Sequence, residues 1–236
     1  MSPPARVCVV VPTYNEKENI TPLVESLERA GVPGLSLLFV DDGSPDGTAE
    51  EVKRLMEEKS WIRLLERPKK MGIGSAYQDG FKAAFDSTSP DVLVEMDADL
   101  QHPASALPDL VEAVNEGADV AIASRYIPGG GISGWGRLRR VVSRGANGYA
   151  RSMLGLKVKD ATSGYRAFSR AAAEAVAQAE LPAKGFEFQV ATLHLLKDKL
   201  KIVEVPFTFT ERTAGKSKLG LADVARFFVA VLRMAL

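Results

Sequence analysis

The chain has 236 residues, enough for one large α/β domain with a substantial core, or for one domain with a small appendage. Lysine plus arginine and aspartate plus glutamate both total 30, so no global field draws the protein to nucleic acid, and an anionic partner must meet a local patch. The lone cysteine, Cys8, lies in an apolar run and has no internal disulfide partner, which fits a reducing compartment. No signal peptide precedes Arg6, and nothing is long and apolar enough to span a bilayer.

Val7–Val11 is a continuous apolar run and predicts a central strand, broken by Pro12-Thr13-Tyr14-Asn15. Asn15 and Glu18 have capping-box spacing, so a helix is expected from about Glu16 to Arg29, with Pro22 as a local objection. Leu35–Val40 is the second strand, and Asp41 to Gly47 reads as a loop by its glycines, proline and acidic residues. Thr48–Lys59 predicts a helix, Ile62–Leu65 a short strand, and Gly74–Phe85 a helix with Ile73, Ala76, Tyr77, Phe81 and Ala84 near one face. Val92–Met96 is a buried strand, followed by a helix from about Ala104 to Asn115 and a strand at Val120–Ser124. Such alternation argues for a mostly parallel, right-handed wound sheet flanked by helices.

Beyond Arg125 the character changes. Ile127–Gly136 holds five glycines and is expected to be mobile. Arg137–Leu154 carries Arg137, Arg139, Arg140, Arg144 and Arg151 on a helical pattern, and Asp160–Arg166 is a polar turn entering a short strand. Arg170–Ala179 and Phe186–Lys199 predict helices. Lys201–Thr210 alternates as a half-buried strand, with Pro206 favouring a sheet edge. Glu211–Lys218 is a basic loop, and Leu219–Leu236 an amphipathic helix; the chain stops there without a helix-ending signal, which leaves room for truncation of a longer protein.

The stretch VLVEMDADLQHP, Val92 to Pro103, organises the rest. In an open α/β sheet, ligands collect outside the carboxyl ends of the strands. Asp97, Asp99 and the carboxamide of Gln101 are hard oxygen ligands suited to Mg2+ or Mn2+, whose shell substrate phosphates complete. The bland alternative is that the aspartates merely open the next helix.

VPTYNE (Val11–Glu16), VDDGSPDGT (Val40–Thr48), MDADLQHP (Met96–Pro103), ASRYIPGGG (Ala123–Gly131), WGRLRRVVSRGAN (Trp135–Asn147), DATSGYRAF (Asp160–Phe168) and VEVPFTFTERTAGKSKLG (Val203–Gly220) occur in this order. Together they resemble the family 2 glycosyltransferases with a GT-A fold, and more narrowly the dolichyl-phosphate (polyprenyl-phosphate) mannosyltransferases, with wording closest to archaeal members. The resemblance implies a catalytic domain over residues 1–218, with residues 219–236 as an interface or partner-docking helix.

It implies a nucleotide-sugar site from Pro12, Tyr14, Glu16, Val40, Asp42, Asp97, Ala98, Asp99, Gln101, Lys184, Arg212 and Lys218. Tyr14 offers a stacking face and Glu16 accepts from ribose or base. Asp42 reads the base while Asp41 braces the loop. Asp97, Asp99 and Gln101 hold the metal, and Arg125, Arg139 and Ser143 hold the acceptor phosphate; Asp99, Arg125 and Arg139 are the catalytic set. Gly215 lies in a lid-like segment from Arg212 to Lys218. His102 orders the loop. Asp160 and Ser163 shape the sugar region, and Arg166 has no assigned role. For Arg137, Arg140 and Arg151 a solvated face, or attraction to anionic lipid headgroups, is preferred.

The implied reaction is inverting transfer of mannose from GDP-mannose to dolichyl or polyprenyl phosphate in the membrane. A phosphate monoester has a second pKa of about 6, so it is already largely dianionic and needs no general base. The alternatives are a UDP-sugar donor or a non-catalytic nucleotide-sugar binding subunit. The prenyl chain stays in the bilayer, so the protein is expected at the cytoplasmic face as a peripheral enzyme. The docking candidates are the Gly129–Trp135 loop, the basic helix and the final helix, with Ile132, Trp135 and Phe227–Leu232 able to dip into the interface. For the final helix, packing on the domain or against missing C-terminal membrane helices is preferred to direct insertion, and a membrane-anchoring subunit is the alternative.

Overall fold

The computed structural model describes residues 4–181, 185–210 and 221–236. Strands and helices alternate: β1 (Val7–Thr13), α1 (Lys17–Ala30), β2 (Leu35–Asp41), α2 (Thr48–Glu58), β3 (Ile62–Glu66), α3 (Ile73–Ser87), β4 (Val92–Glu95), α4 (Leu107–Asn115) and β5 (Val120–Ser124). Then follow β6 (Gly131–Ile132), α5 (Arg137–Leu154), β7 (Arg166–Ser169), α6 (Arg170–Gln178), α7 (Phe188–Leu196), β8 (Ile202–Pro206), β9 (Thr208–Phe209) and α8 (Leu221–Ala235). A seven-stranded sheet runs β3-β2-β1-β4-β7-β5-β8, and β6 pairs with β9 separately. Among the described residues only β7 runs antiparallel, to its neighbours β4 and β5. The mostly parallel expectation holds, and Pro206 sits on the edge strand β8 as its missing N–H requires.

Period-two alternation divides the core. Val7, Val9 and Val11 of β1 face one apolar layer with Ile20, Leu23 and Leu27 of α1. Cys8 and Val10 face the other, with Tyr77 and Phe81 of α3 and Phe168 of β7. Cys8 is therefore a core residue, and burial pushes its thiol up to about 11, where it stays protonated. Gly80 lets α3 lie flush on the sheet: a Cβ there would overlap Val10 Cγ1 and come within 3.0 Å of Val40 Cγ2.

Several local expectations are corrected. The capping box does not form: α1 begins at Lys17, and Asn15 adopts a left-handed φ of 58°. The chain entry is held from outside instead, by the Asn15 N–H on Ser44 Oγ (3.0 Å) and the Glu16 N–H on Thr48 Oγ1 (3.1 Å). Pro22 is accommodated inside α1. The helix expected from Ala104 opens with a 3-10 turn, 104–106, before α4. The glycine-rich segment expected to be mobile is built in: Gly131–Ile132 forms β6 against Thr208–Phe209, and a Cβ on Gly130 would overlap Ser124 O. The single strand expected over Lys201–Thr210 breaks into β8 and β9 because its second half leaves the main sheet for β6.

One membrane-dipping candidate is corrected, and the packing preferred for the last helix is seen in part. Trp135 is buried against Phe209, ring centroids 5.3 Å apart, and Phe227 and Val231 of α8 are buried in the core. The exposed apolar side chains are instead Leu138, Val141 and Val142 of α5 and Phe228, Val229 and Leu232 of α8. The two helices pack together, with Tyr149 and Phe228 rings 4.8 Å apart. Among the described residues no helix is long and apolar enough to cross a membrane.

Candidate active site

The carboxyl ends of β1, β2 and β4 lie side by side, so their outgoing loops share one edge of the sheet. Thr13 Oγ1 donates to Asp41 Oδ1 (2.9 Å), and Asp41 also accepts from Ser44 N–H (2.9 Å) and Ser44 Oγ (2.6 Å). Asp41 is thus the loop brace, as expected. Asp42 is buried but not alone: its carboxylate accepts from Arg67 Nε (2.5 Å) and the Met71 N–H (3.3 Å) and forms an ion pair with Arg67 Nη2. Arg67 goes on to Ser75 Oγ (2.6 Å) and Asp79 (2.9 Å). Lys70, from the same loop, lies 4.6 Å from the centre of the Tyr14 ring. The sequence reading missed Arg67 and Lys70; their signal was their place just past β3, beside the end of β2.

β4 ends at Glu95, one residue before the expected boundary, and the chain turns through Asp97-Ala98-Asp99 with Leu100 at a φ of 62°. Asp99 Oδ1 accepts the Gln101 N–H (3.1 Å), and Gln101 Nε2 donates to Thr210 O (3.1 Å), which orients the amide. His102 Nδ1 accepts the Asp97 N–H (3.0 Å), so this nitrogen carries no proton. The ring is stacked on Tyr165 at 5.0 Å. That is the loop-ordering role expected of it. Tyr77 donates to Asp97 Oδ1 (3.3 Å); burial and the carboxylates of Asp97 and Glu95 raise its pKa well above the usual phenol value, so it keeps the proton.

Beneath lies a buried pair. Glu95 and Arg166 stand opposite each other on β4 and β7, both fully buried. Burial pushes Glu95 up to about 7 against the attraction of Arg166 and the neighbouring Gln189 amide. Arg166, given no role from sequence, donates to Gln189 O (2.7 Å) and Ala161 O (2.9 Å). It thereby pins the Asp160–Gly164 turn and the start of α7 against β4. Gly164 is close-packed there: a Cβ would lie 3.4 Å from Gln189 Nε2, 3.8 Å from His102 Cε1 and 3.9 Å from Asp97 Oδ2.

Among the described residues no three His, Cys, Asp or Glu side chains form a cation cage. Two carboxylates and an amide are the sparse oxygen set on which Mg2+ or Mn2+ keeps room for water and phosphate oxygens. The donor chemistry of Asp97, Asp99 and Gln101 fits such an ion.

The acceptor set is brought together around Trp135. The Arg139 guanidinium sits 4.0 Å from its ring centre and that of Arg125 at 5.7 Å, while Ser143 Oγ meets Tyr126 Oη at 2.8 Å. Arg125 is corrected in one respect. Its fork is engaged internally: Nε and Nη2 each reach Asp160 at 2.7 Å, and Nη2 also reaches Thr162 Oγ1 at 2.9 Å. A bidentate grip on phosphate through that edge is excluded, leaving Nη1. Asp160 is an anchor for Arg125. Pro12, Val40 and Ala98 lie on or next to the same strand ends. Lys184, Arg212 and Lys218, with the lid-like segment around Gly215, lie outside the described residues.

Residues 8–177 match the family described as Glycosyl transferase family 2. The chain is 41% identical over 224 residues to a polyprenol monophosphomannose synthase of Mycolicibacterium smegmatis, covering 94% of this chain and 84% of that protein. It is 41% identical over 232 residues to an undecaprenyl-phosphate mannosyltransferase of Micrococcus luteus, covering 98% and 94%. A dolichol-phosphate mannosyltransferase of Pyrococcus furiosus is 42% identical over 219 residues, covering 91% of this chain and 59% of its own length. Among solved structures, glucosyl-3-phosphoglycerate synthase from Mycobacterium tuberculosis, in complex with Mn2+, UDP-glucose and phosphoglyceric acid, superposes with a TM-score of 0.72 at 23% identity, covering 98% of this chain and 80% of that one. That likeness is one of fold, a mostly parallel GT-A sheet between helices. The matched span and the identity across nearly the whole chain lead to one conclusion: the protein belongs to glycosyl transferase family 2.

Proposed function

We propose that the protein transfers mannose from GDP-mannose to a polyprenyl or dolichyl phosphate, with inversion at the sugar carbon. The observation that supports this reading is that His102, which holds the Asp97 N–H, and Trp135, which Arg125 and Arg139 flank, both pack on Phe209, so the carboxylate turn and the guanidinium pair share one support. The names of the relatives at 41% identity support the lipid-phosphate acceptor and the hexose.

Asp97, Asp99 and Gln101 would hold Mg2+ or Mn2+, which when bound supplies Lewis-acid stabilisation of the leaving diphosphate. The chain's own residues do the rest. Tyr77 and His102 hold Asp97 in place. Tyr14 and Asp42 bound the nucleoside side, with Glu16 at the start of α1. Arg139 and the remaining edge of Arg125 attract the acceptor phosphate and offset its repulsion from the donor. The acceptor oxygen is already ionised, so it attacks the sugar carbon as the carbon–oxygen bond to the diphosphate breaks, and GDP leaves with that electron pair. No carboxylate of the protein need take a proton. The apolar side chains exposed along α5 and α8, flanked by arginines, suit peripheral attachment at the cytoplasmic membrane face, with α8 as the interface helix.

The test is transfer of radiolabelled mannose from GDP-mannose to a soluble-length prenyl phosphate, with and without EDTA. The expected result is lipid-linked mannose, lost with EDTA and restored by Mn2+. GDP binding without transfer would reveal a binding subunit, and transfer only from a UDP-sugar would move the donor assignment.

A further inference from the structure

α5 carries more positive charge than the acceptor site uses. Its sequence, RLRRVVSRGANGYARSML, holds five arginines and no acid. Arg144 and Arg151 are seven residues apart and so share a face, about 10 Å apart along the axis. Between them lie Asn147 and Gly148. A Cβ on Gly148 would meet nothing within 4 Å, so the helix backbone there is the open floor of a groove. Lys159 and the Arg125–Tyr126 segment form the far wall of an open cleft of about 460 Å³. Of the acceptor set Arg125 alone lines it; Arg139, Ser143, Asp97 and Asp99 do not.

The acids nearby are already committed. Asp160 is held by Arg125. Glu204 accepts from Ser124 Oγ (2.6 Å) and from the backbone N–H groups of Asp160 (3.0 Å) and Lys159 (2.8 Å). Among the described residues, Arg144, Arg151 and Lys159 enter no ion pair, and the buried Nε of Arg151 has no hydrogen-bond partner. An arginine N–H withdrawn from water and left unmatched favours an anion. Two planar forks on either side of a bare helix floor, with an ammonium opposite, match the oxygens of a phosphate group better than a single carboxylate.

We propose that this cleft is a second phosphate site, adjoining the acceptor clamp across Arg125 but built on Arg144, Arg151 and Lys159. It takes a phosphate group from an anionic phospholipid headgroup or from a free phosphate ester. Its place on α5, whose Leu138, Val141 and Val142 are exposed, puts it within the helix that offers the apolar surface.

The test uses the full chain in phosphate-free buffer at fixed ionic strength. Wild type, R144Q/R151Q and G148L are titrated calorimetrically with inorganic phosphate and, separately, with dihexanoyl phosphatidylglycerol below its micelle concentration, with the phosphatidylcholine analogue as control. G148L fills the floor without removing charge, and since nothing crowds that position the helix keeps its fold, which thermal melting checks. Saturable binding by wild type, weakened at least tenfold in both variants, is the expected result. Binding of phosphatidylglycerol alone identifies a headgroup site and binding of phosphate also or only identifies a free-phosphate site; either supports the proposal. No binding by wild type, or G148L binding as wild type does, overturns it. Mannose transfer in phospholipid-free detergent is measured in parallel. Unchanged kcat and acceptor KM in both variants support a separate site, while a tenfold rise in acceptor KM would make the cleft part of the acceptor site and overturn the proposal. Phosphate binding stands even if the transfer assay fails in wild type, so the two readings fail separately.

Discussion

At the scale of single residues, the site rests on buried charge that is matched to different degrees. Arg125 and Asp160 are matched: the pair is buried, bidentate and backed by Thr162. Removing one partner of such a pair strands the other charge and costs about 3–5 kcal/mol. Arg125→Met should therefore lower the denaturant midpoint as well as transfer. A variant that loses transfer but keeps wild-type stability would show that the ion pair contributes little to the fold. Glu95 is matched poorly. Its pKa is about 7 in the folded chain, against an ordinary value of 4.5. Between these values the folded state holds more protons than the unfolded one, so stability is greatest below about pH 4.5 with respect to this group. It falls as pH rises toward 7 and then levels off, by at most about 3 kcal/mol. Glu95→Gln should abolish that slope and make the protein more stable than wild type at pH 8, as melting curves across pH 5 to 8 would reveal. At the sheet tip, Asp97→Asn or Asp99→Asn should cut metal-stimulated transfer on the order of a hundredfold, the size of effect seen when a stabiliser of developing charge is removed. Retained EDTA sensitivity with normal kcat in both variants would relocate the ion.

At the scale of elements, the site is positioned by how helices meet strands. α3 carries Tyr77 to Asp97 and Ser75 and Asp79 to Arg67, and it reaches both because Gly80 allows it to touch β1 and β2. Gly80→Ala would gain about 1 kcal/mol of intrinsic helix propensity. It would nevertheless force the new methyl into Val10, an overpacking cost of about 1–3 kcal/mol. A net loss of stability, with weaker GDP binding from the displaced Tyr77 and Arg67, is the expected outcome in thermal-shift titration. α6 is held by a cap, Ser169 Oγ accepting the Ala172 N–H at 3.3 Å, which fixes the end of β7 opposite to Arg166.

At the scale of the whole molecule, two chemistries lie on adjoining surfaces. The strand ends gather oxygen donors, and α5 with α8 gathers apolar side chains and guanidinium groups. Phe227 and Val231 anchor α8 to the core, which leaves Phe228, Val229 and Leu232 outward. Replacing Leu138 and Leu232 together by Asp should abolish co-sedimentation with anionic vesicles. It should leave melting temperature and transfer in detergent near wild type, because neither side chain is buried. Unchanged co-sedimentation would place the contact surface elsewhere.

The sequence by itself determined the alternation of elements, the parallel sheet, the edge position of Pro206 and the residues that end the strands. These follow from periodicity and local backbone chemistry, which act over a few residues. It also singled out Asp97, Asp99, Arg139 and Ser143, because motifs keep residue types in order along the chain. Only the tertiary structure decided how each charge is used. Arg125 turned out to be gripped by Asp160, 35 positions away. Arg67 proved to partner Asp42, Trp135 went inward, and Glu95 met Arg166 across neighbouring strands. A charged side chain seeks whatever lies nearest in space, and in a wound sheet the nearest group usually belongs to a strand or loop remote in sequence.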